Sequence, residues 1–106
     1  YLNWMGVYFE TGWSVNPWWV PEFKSFPDHP AARGLKPFTL RDEWYYHMRF
    51  TKDMKGVTHI FSAVPPMSTV RKEKSARGGN PDVYKAVSEG KPQHMAWAYD
   101  RPDGGR

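Results

Sequence analysis

The chain has 106 residues and a formal net charge of +4, with no Cys, ten Pro and six each of Trp, Tyr and Phe. Leu, Ile, Val and Phe make up about 17% of it, below the ~20% that a packed interior usually needs. An aromatic share of 17% nevertheless excludes the aromatic-poor signature of a disordered chain. At most one domain fits this length, and a chain without Cys has no disulfide scaffold, thiol nucleophile or Cys-based zinc site.

No window approaches the ~18 consecutive apolar residues of a membrane span, and no secretory leader is visible, so no membrane partner is expected. The sequence starts at Tyr1 and stops at the turn-like run Arg101-Pro102-Asp103-Gly104-Gly105-Arg106. With the thin aliphatic content, this predicts a piece of a larger domain. The pI of about 9.4 comes largely from Arg71, Lys72, Lys74 and Arg77, a local basic loop in a chain that otherwise mixes its charges.

In chain order, Leu2, Trp4, Met5 and Val7 form a short apolar stretch broken by Gly6, the tail of a helix or the turn after one. Asn16-Pro17 marks a turn, and Trp18 to Phe23 reads as a short extended segment in which Pro21 argues for an edge position. Ser25 to Pro37 is a long irregular connection. From Pro37 to Phe50, period two puts Asp42, Trp44, Tyr46, Met48 and Phe50 on one face and Glu43, Tyr45, His47 and Arg49 on the other, which predicts a strand with one polar side. A helix would also bring Glu43 and His47 together, but the adjacent Tyr residues, Trp44 and Thr39 favour extended backbone.

Thr51 to Gly56 is a polar turn, Val57 to Val64 a buried strand ended by Pro65-Pro66, and Met67 to Gly79 a charged loop. Asn80-Pro81 supplies an N-cap with Pro at the first helical position; Val83, Tyr84 and Val87 share a face, and Gly90 ends the helix. Gln93 to Asp100 is a last strand, with His94, Ala96 and Ala98 alternating against Met95, Trp97 and Tyr99. Strands interleaved with a helix suggest an α/β layer structure.

His29, His47, His59 and His94 show no metal-ligand spacing. There is no Gly-x-Ser-x-Gly elbow, and Gly78-Gly79-Asn80 lacks the spacing of a phosphate cradle. The basic loop has no interleaved aromatic residue, so nucleic acid is not an expected partner. The remaining chemistry lies on the polar face of the 43–49 strand. There Glu43, Tyr45, His47 and Arg49 offer a carboxylate, a phenol, an imidazole and a cation that could orient hydroxyls and move protons, or simply form the wet side of an edge strand. Trp13, Trp18 and Trp19 could stack on sugar faces or fill the core.

The run His29-Pro30-Ala31-Ala32-Arg33-Gly34-Leu35-Lys36-Pro37-Phe38, followed by Asp42-Glu43-Trp44-Tyr45-Tyr46, resembles the HPI-x-x-G-L-x-x-F and D-E-x-Y signatures of the ThuA-like trehalose-utilisation family. The Val57-Thr58 strand, Pro65-Pro66 and His94-Met95-Ala96-Trp97 are similar to its second half. Gly12 and Trp18 depart from the polar or His residues expected at those places. The resemblance implies a flavodoxin-like α/β fold of three layers, related to class I glutamine amidotransferases. Only the C-terminal part of that domain would be present, so that residues 1–106 form a partial ThuA-like domain truncated at both ends.

It also implies a place in bacterial carbohydrate metabolism, trehalose or keto-sugar utilisation, in the cytoplasm or periplasm. Glu43 and His29 would be catalytic, and Tyr45, His47, Arg49 and Trp18 would bind a small carbohydrate. A divalent metal held by His29 and Glu43 with ligands from outside the chain is compatible with this reading, as is a homo-oligomer. Two rivals stand beside it. One is a non-catalytic sugar-binding or protein-interaction module that uses the same face with Trp18 or Trp19 as a stacking platform. The other is a glutamine-amidotransferase-like enzyme with its Cys elbow upstream of Tyr1.

Overall fold

Residues 2–75 and 79–106 are described by a computed structural model, and Arg77 and Gly78 of the predicted basic loop lie outside them. The chain opens with one helical turn, α1 (Leu2–Met5), which Gly6 ends in the left-handed region at φ 72° while its N–H bonds to the Leu2 carbonyl at 2.8 Å. Short strands follow: β1 (Val7–Tyr8), β2 (Trp18–Trp19), β3 (Glu22–Phe23), β4 (Phe38–Thr39), β5 (Asp42–Glu43) and β6 (Arg49–Phe50).

The pairings of β2 with β5 and of β3 with β4 belong to one antiparallel ribbon. A single register runs through Val15↔Tyr46, Trp18↔Glu43, Trp19↔Asp42, Glu22↔Thr39 and Phe23↔Phe38, one step forward on one strand matching one step back on the other. The ladder breaks at Pro21, which has no N–H to donate, and resumes at Glu22. Successive side chains take opposite faces: Val15, Trp19, Pro21 and Phe23 are buried, whereas Trp18, Val20 and Glu22 are exposed. The far end of the ribbon is closed by residues 24–37, which contain a 3-10 turn at Pro30–Ala32.

β1 and β6 pair in a different register, Val7↔Phe50 and Tyr8↔Arg49. Between the two registers the chain makes a turn at Glu10 to Ser14, whose Trp13 and Ser14 N–H groups both bond to the Glu10 carbonyl. Opposite it, His47 adopts φ 55°. The predicted strand of 37–50 therefore keeps one register through Tyr46, in two short pieces and with Leu40 and Asp42 of the inward set exposed, and is broken at His47, because six residues on one side must be accommodated against two on the other.

A second ribbon is made by β7 (Val57–Ala63) and β8 (Gln93–Tyr99). Its antiparallel register slips between His59 and Phe61 and again between Phe61 and Ser62. These irregularities undo the strict alternation predicted for the last strand: His94 and Trp97, expected on opposite faces, both meet the ring of Phe50 edge-on, at 6.1 and 5.6 Å. The predicted helix is α2 (Pro81–Ser88), with the Asn80 Oδ1 accepting from the Val83 N–H at 2.9 Å. The Asn80 amide also donates to the Trp13 carbonyl at 2.9 Å, tying the helix to the first ribbon.

Val15, Trp19 and Tyr46 of the first ribbon pack on Val83 and Val87 of α2 and on Val70, with Trp44, Ala63, Tyr84 and Met95 around them. A second cluster joins the ribbons: Phe23 stacks on Phe61 of β7 at 4.9 Å and meets Phe38 and Trp44 at 5.1 Å each. Aromatic rings, each burying on the order of 150–250 Å², supply the area that the sparse aliphatic residues do not.

The three-layer flavodoxin-like α/β arrangement implied by the resemblance is not formed. Every strand-to-strand pairing among the described residues is antiparallel, and the one parallel contact is the isolated bridge Arg71↔Gly79. A parallel layer needs crossovers that return each strand in the same direction, usually through a helix. Here α2 lies between β7 and β8 in sequence, as a crossover helix would, but the chain comes back antiparallel. Local periodicity is the same in both cases, which is why the segment reads as α/β.

Tyr46 is fully buried at the centre of this packing, and its hydroxyl lies 3.3 Å from the Thr69 hydroxyl. Tyr46→Ala is expected to cost about 3–5 kcal/mol, a large share of a domain stability of ~5–15 kcal/mol. Tyr46→Phe, which keeps the ring and loses one neutral hydrogen bond, should cost only about 0.5–1.5 kcal/mol. Urea denaturation of both variants measures the difference.

Candidate functional site

The ribbon register places the predicted polar residues. Trp18 pairs with Glu43, and by the same register Asn16 lies opposite Tyr45. Cross-strand partners share a face, so Asn16, Trp18, Glu43 and Tyr45 stand together on the side of the ribbon turned away from the core. Trp18 is 55% exposed and Tyr45 45%. The Asn16 amide donates to Glu43 Oε1 at 2.5 Å, and Asn16 itself is buried beneath this face. The Arg41 guanidinium lies 5.2 Å from the Trp18 ring centre, and the edge-on ring of Phe9 lies 5.7 Å from that of Tyr45. Chemically this is a pair of exposed aromatic side chains with a carboxylate acceptor beside them and a guanidinium over the Trp18 ring.

His47 and Arg49 do not continue that row. The left-handed backbone at His47 turns its imidazole onto Trp13, with ring centres 4.4 Å apart. The Trp13 carbonyl can only accept, so the His47 Nδ1 at 2.9 Å carries the hydrogen. Burial lowers the His47 pKa against the opposing pull of the Trp13 carbonyl and Asp82. Arg49 lies over the same indole at 3.7 Å and pairs with Glu10 at 2.5 Å. Trp13, His47 and Arg49 line a shallow hollow of about 450 Å³ together with the turn at 51–54.

His29 is placed elsewhere. It caps the 3-10 turn, its Nδ1 accepting from the Ala31 N–H at 3.1 Å, which leaves the hydrogen on Nε2. It lines a hollow of about 340 Å³ with Trp4, Met5, Trp97 and Tyr99, and Glu43 is not part of that hollow. The structure thus joins Glu43, Tyr45 and Trp18, puts His47 and Arg49 in a neighbouring cluster, and separates His29 from both. Sequence reasoning missed Asn16 and Arg41. The signal for Asn16 was its even spacing from Trp18, which becomes legible only once the strand is given a partner and a register.

Among the described residues no three His, Asp or Glu side chains gather where they could hold a metal ion. No helix among them is long and apolar enough to cross a membrane.

The remaining two histidines meet on the second ribbon. The His59 and His94 rings stack with centres 3.4 Å apart and planes 7° from parallel, under the edge of Phe50. The His94 Nδ1 lies 2.7 Å from the Ser62 hydroxyl, and the His59 Nε2 lies 3.1 Å from the Met54 sulfur. Burial, reinforced by His59, pushes the His94 pKa down to about 4, and burial lowers that of His59 as well.

Both imidazoles therefore stay neutral in the fold where the unfolded chain, with an ordinary His pKa of about 6.5, takes up protons. Their contribution to stability is complete above pH ~6.5 and is lost as the pH falls toward 4. Because His94 is half-buried, its part of the slope should be below the ~1.4 kcal/mol per pH unit of a fully linked group. Urea midpoints measured between pH 7 and pH 4 are expected to fall, and to fall less steeply in His94→Gln; an unchanged slope in that variant would remove His94 as the responsible group. No family model, curated protein or solved structure matches the chain, and the site is accordingly defined by its own geometry.

Proposed function

We propose that the outward face of the first ribbon binds carbohydrate, the ligand class implied by the resemblance to the ThuA-like family. The observation that supports this reading is the presence of two large exposed aromatic residues, Trp18 and Tyr45, on one face of a ladder beside the Glu43 carboxylate, with the Arg41 guanidinium over one side of the Trp18 ring. A pyranose has an apolar C–H face and an equatorial belt of hydroxyls. The first stacks on an indole or phenol ring, and the second is read by an acceptor and a forked donor at the edge.

Binding, rather than turnover, is the reading that this arrangement favours. The imidazole expected to assist Glu43 lines a different hollow, and the imidazole nearest in sequence, His47, is turned onto Trp13. Glu43 then acts as a hydroxyl acceptor, with Asn16 fixing its carboxylate.

Titration of the protein with a panel of neutral mono- and disaccharides, followed by tryptophan fluorescence, tests the reading. Trp18→Ala should weaken binding by about tenfold, the equivalent of ~1.4 kcal/mol, with little change in the urea midpoint because the side chain is exposed. Glu43→Gln should weaken binding less, since the amide oxygen still accepts. Sugar turnover that disappears in Glu43→Gln would replace the binding reading by a catalytic one. No fluorescence change with any sugar would remove both.

A further inference from the structure

We infer that this platform takes two consecutive rings of an extended, equatorially linked saccharide, in preference to a single sugar or a bent disaccharide; the inference rests on the carbohydrate reading above. The four outward positions form the corners of a quadrilateral, Trp18 opposite Glu43 and Asn16 opposite Tyr45. One diagonal is closed by the Asn16–Glu43 hydrogen bond at 2.5 Å. The other diagonal runs from Trp18 to Tyr45, so the hydrogen-bonded polar pair lies between the two aromatic residues.

Diagonal neighbours on an antiparallel ladder are ~7–8 Å apart along the backbone. Among the described residues the Trp18 and Tyr45 rings pack on different neighbours and not on one another, so adjoining rings of a saccharide chain can each occupy one. The two aromatic residues are also held independently: Trp18 has Arg41 as its neighbour and Tyr45 has Phe9. They form two stations with a polar floor between them, where the glycosidic linkage and its flanking hydroxyls would lie.

An extended β-linked disaccharide keeps both rings roughly in one plane and can lie on both stations. In an α,α-1,1-linked disaccharide the two rings are folded toward each other. Only one of them can then lie flat on the ladder, so trehalose gains nothing from the second station.

The test compares glucose, cellobiose and trehalose by calorimetric titration of the intact chain and of its Trp18→Ala and Tyr45→Ala variants. Cellobiose is expected to bind the unaltered protein about tenfold more tightly than glucose or trehalose, the effect of one added stacking contact. Each substitution should bring cellobiose down to the glucose level. Equal affinity for glucose and cellobiose, trehalose binding as tightly as cellobiose, or a cellobiose advantage that survives both substitutions would overturn the two-station inference and leave the carbohydrate reading standing. No binding of any of the three sugars would overturn both.

Discussion

The antiparallel register that matches Val15 with Tyr46 and Phe23 with Phe38 decides which side chains of the first ribbon become core and which become surface. A slip of one residue would turn over one strand against the other, either exposing Tyr46 and burying Glu43 or exposing Trp19 and burying Trp18. The register is held at both ends by burial: Tyr46 closes one end against α2 and Val70, and the Phe23–Phe38 pair closes the other against Phe61. With both ends pinned, the outward row of Asn16, Trp18, Glu43 and Tyr45 follows by parity alone. Core and candidate site are thus two faces of one constraint.

The same constraint explains where regularity stops. The turn at Glu10 to Ser14 inserts residues on one side only, and the mismatch is absorbed by a left-handed histidine, a conformation that costs a non-glycine residue on the order of 1 kcal/mol or more. Its side chain partly offsets that cost. The imidazole packs on Trp13 and donates to its carbonyl, while the Ser14 hydroxyl donates to the His47 carbonyl at 2.9 Å. Asn80 bonds to the same Trp13 carbonyl, so the irregular turn, the kinked strand and the helix cap share one hydrogen-bonded junction.

Scarcity of aliphatic residues leaves its mark throughout. Valines share the interior with Trp19, Phe23, Tyr46 and Tyr99, and the tyrosines and tryptophan bring polar atoms with them. Tyr46 finds Thr69, and burial pushes its pKa up to about 12, so the phenol stays neutral. The His59–His94 stack stays neutral for the same reason, and its loss of charge at neutral pH is what makes it compatible with the aromatic edge of Phe50. Packing of this kind couples the interior to pH more closely than a leucine-rich core does.

Several elements were legible in the sequence because their signals are local. Asn80-Pro81 and Gly90 delimit α2 through capping chemistry, and period-two alternation from Asp42 to Tyr46 marks one polar and one mostly apolar face, whereas the stretch around Gly6 was too short to tell a helix from a turn. Glu43 and Tyr45 could be placed on one face of their strand for that reason, since both sit where alternation holds, whereas Trp18 was singled out only as an aromatic residue beside Pro17. Strand direction was not legible, because a strand, a helix and a strand have the same periodicities whether the last strand returns parallel or antiparallel, and the α/β expectation failed there. Nor were the places of His29, His47 and Arg49: the first lines a hollow with residues of α1 and β8 from far along the chain, and the others follow a register mismatch that exists only when two strands are side by side. Residue types and spacing determined the faces, caps and turns of this protein. Pairing direction, register and the meeting of those faces were decided by tertiary structure, because they depend on burial between segments far apart in the chain.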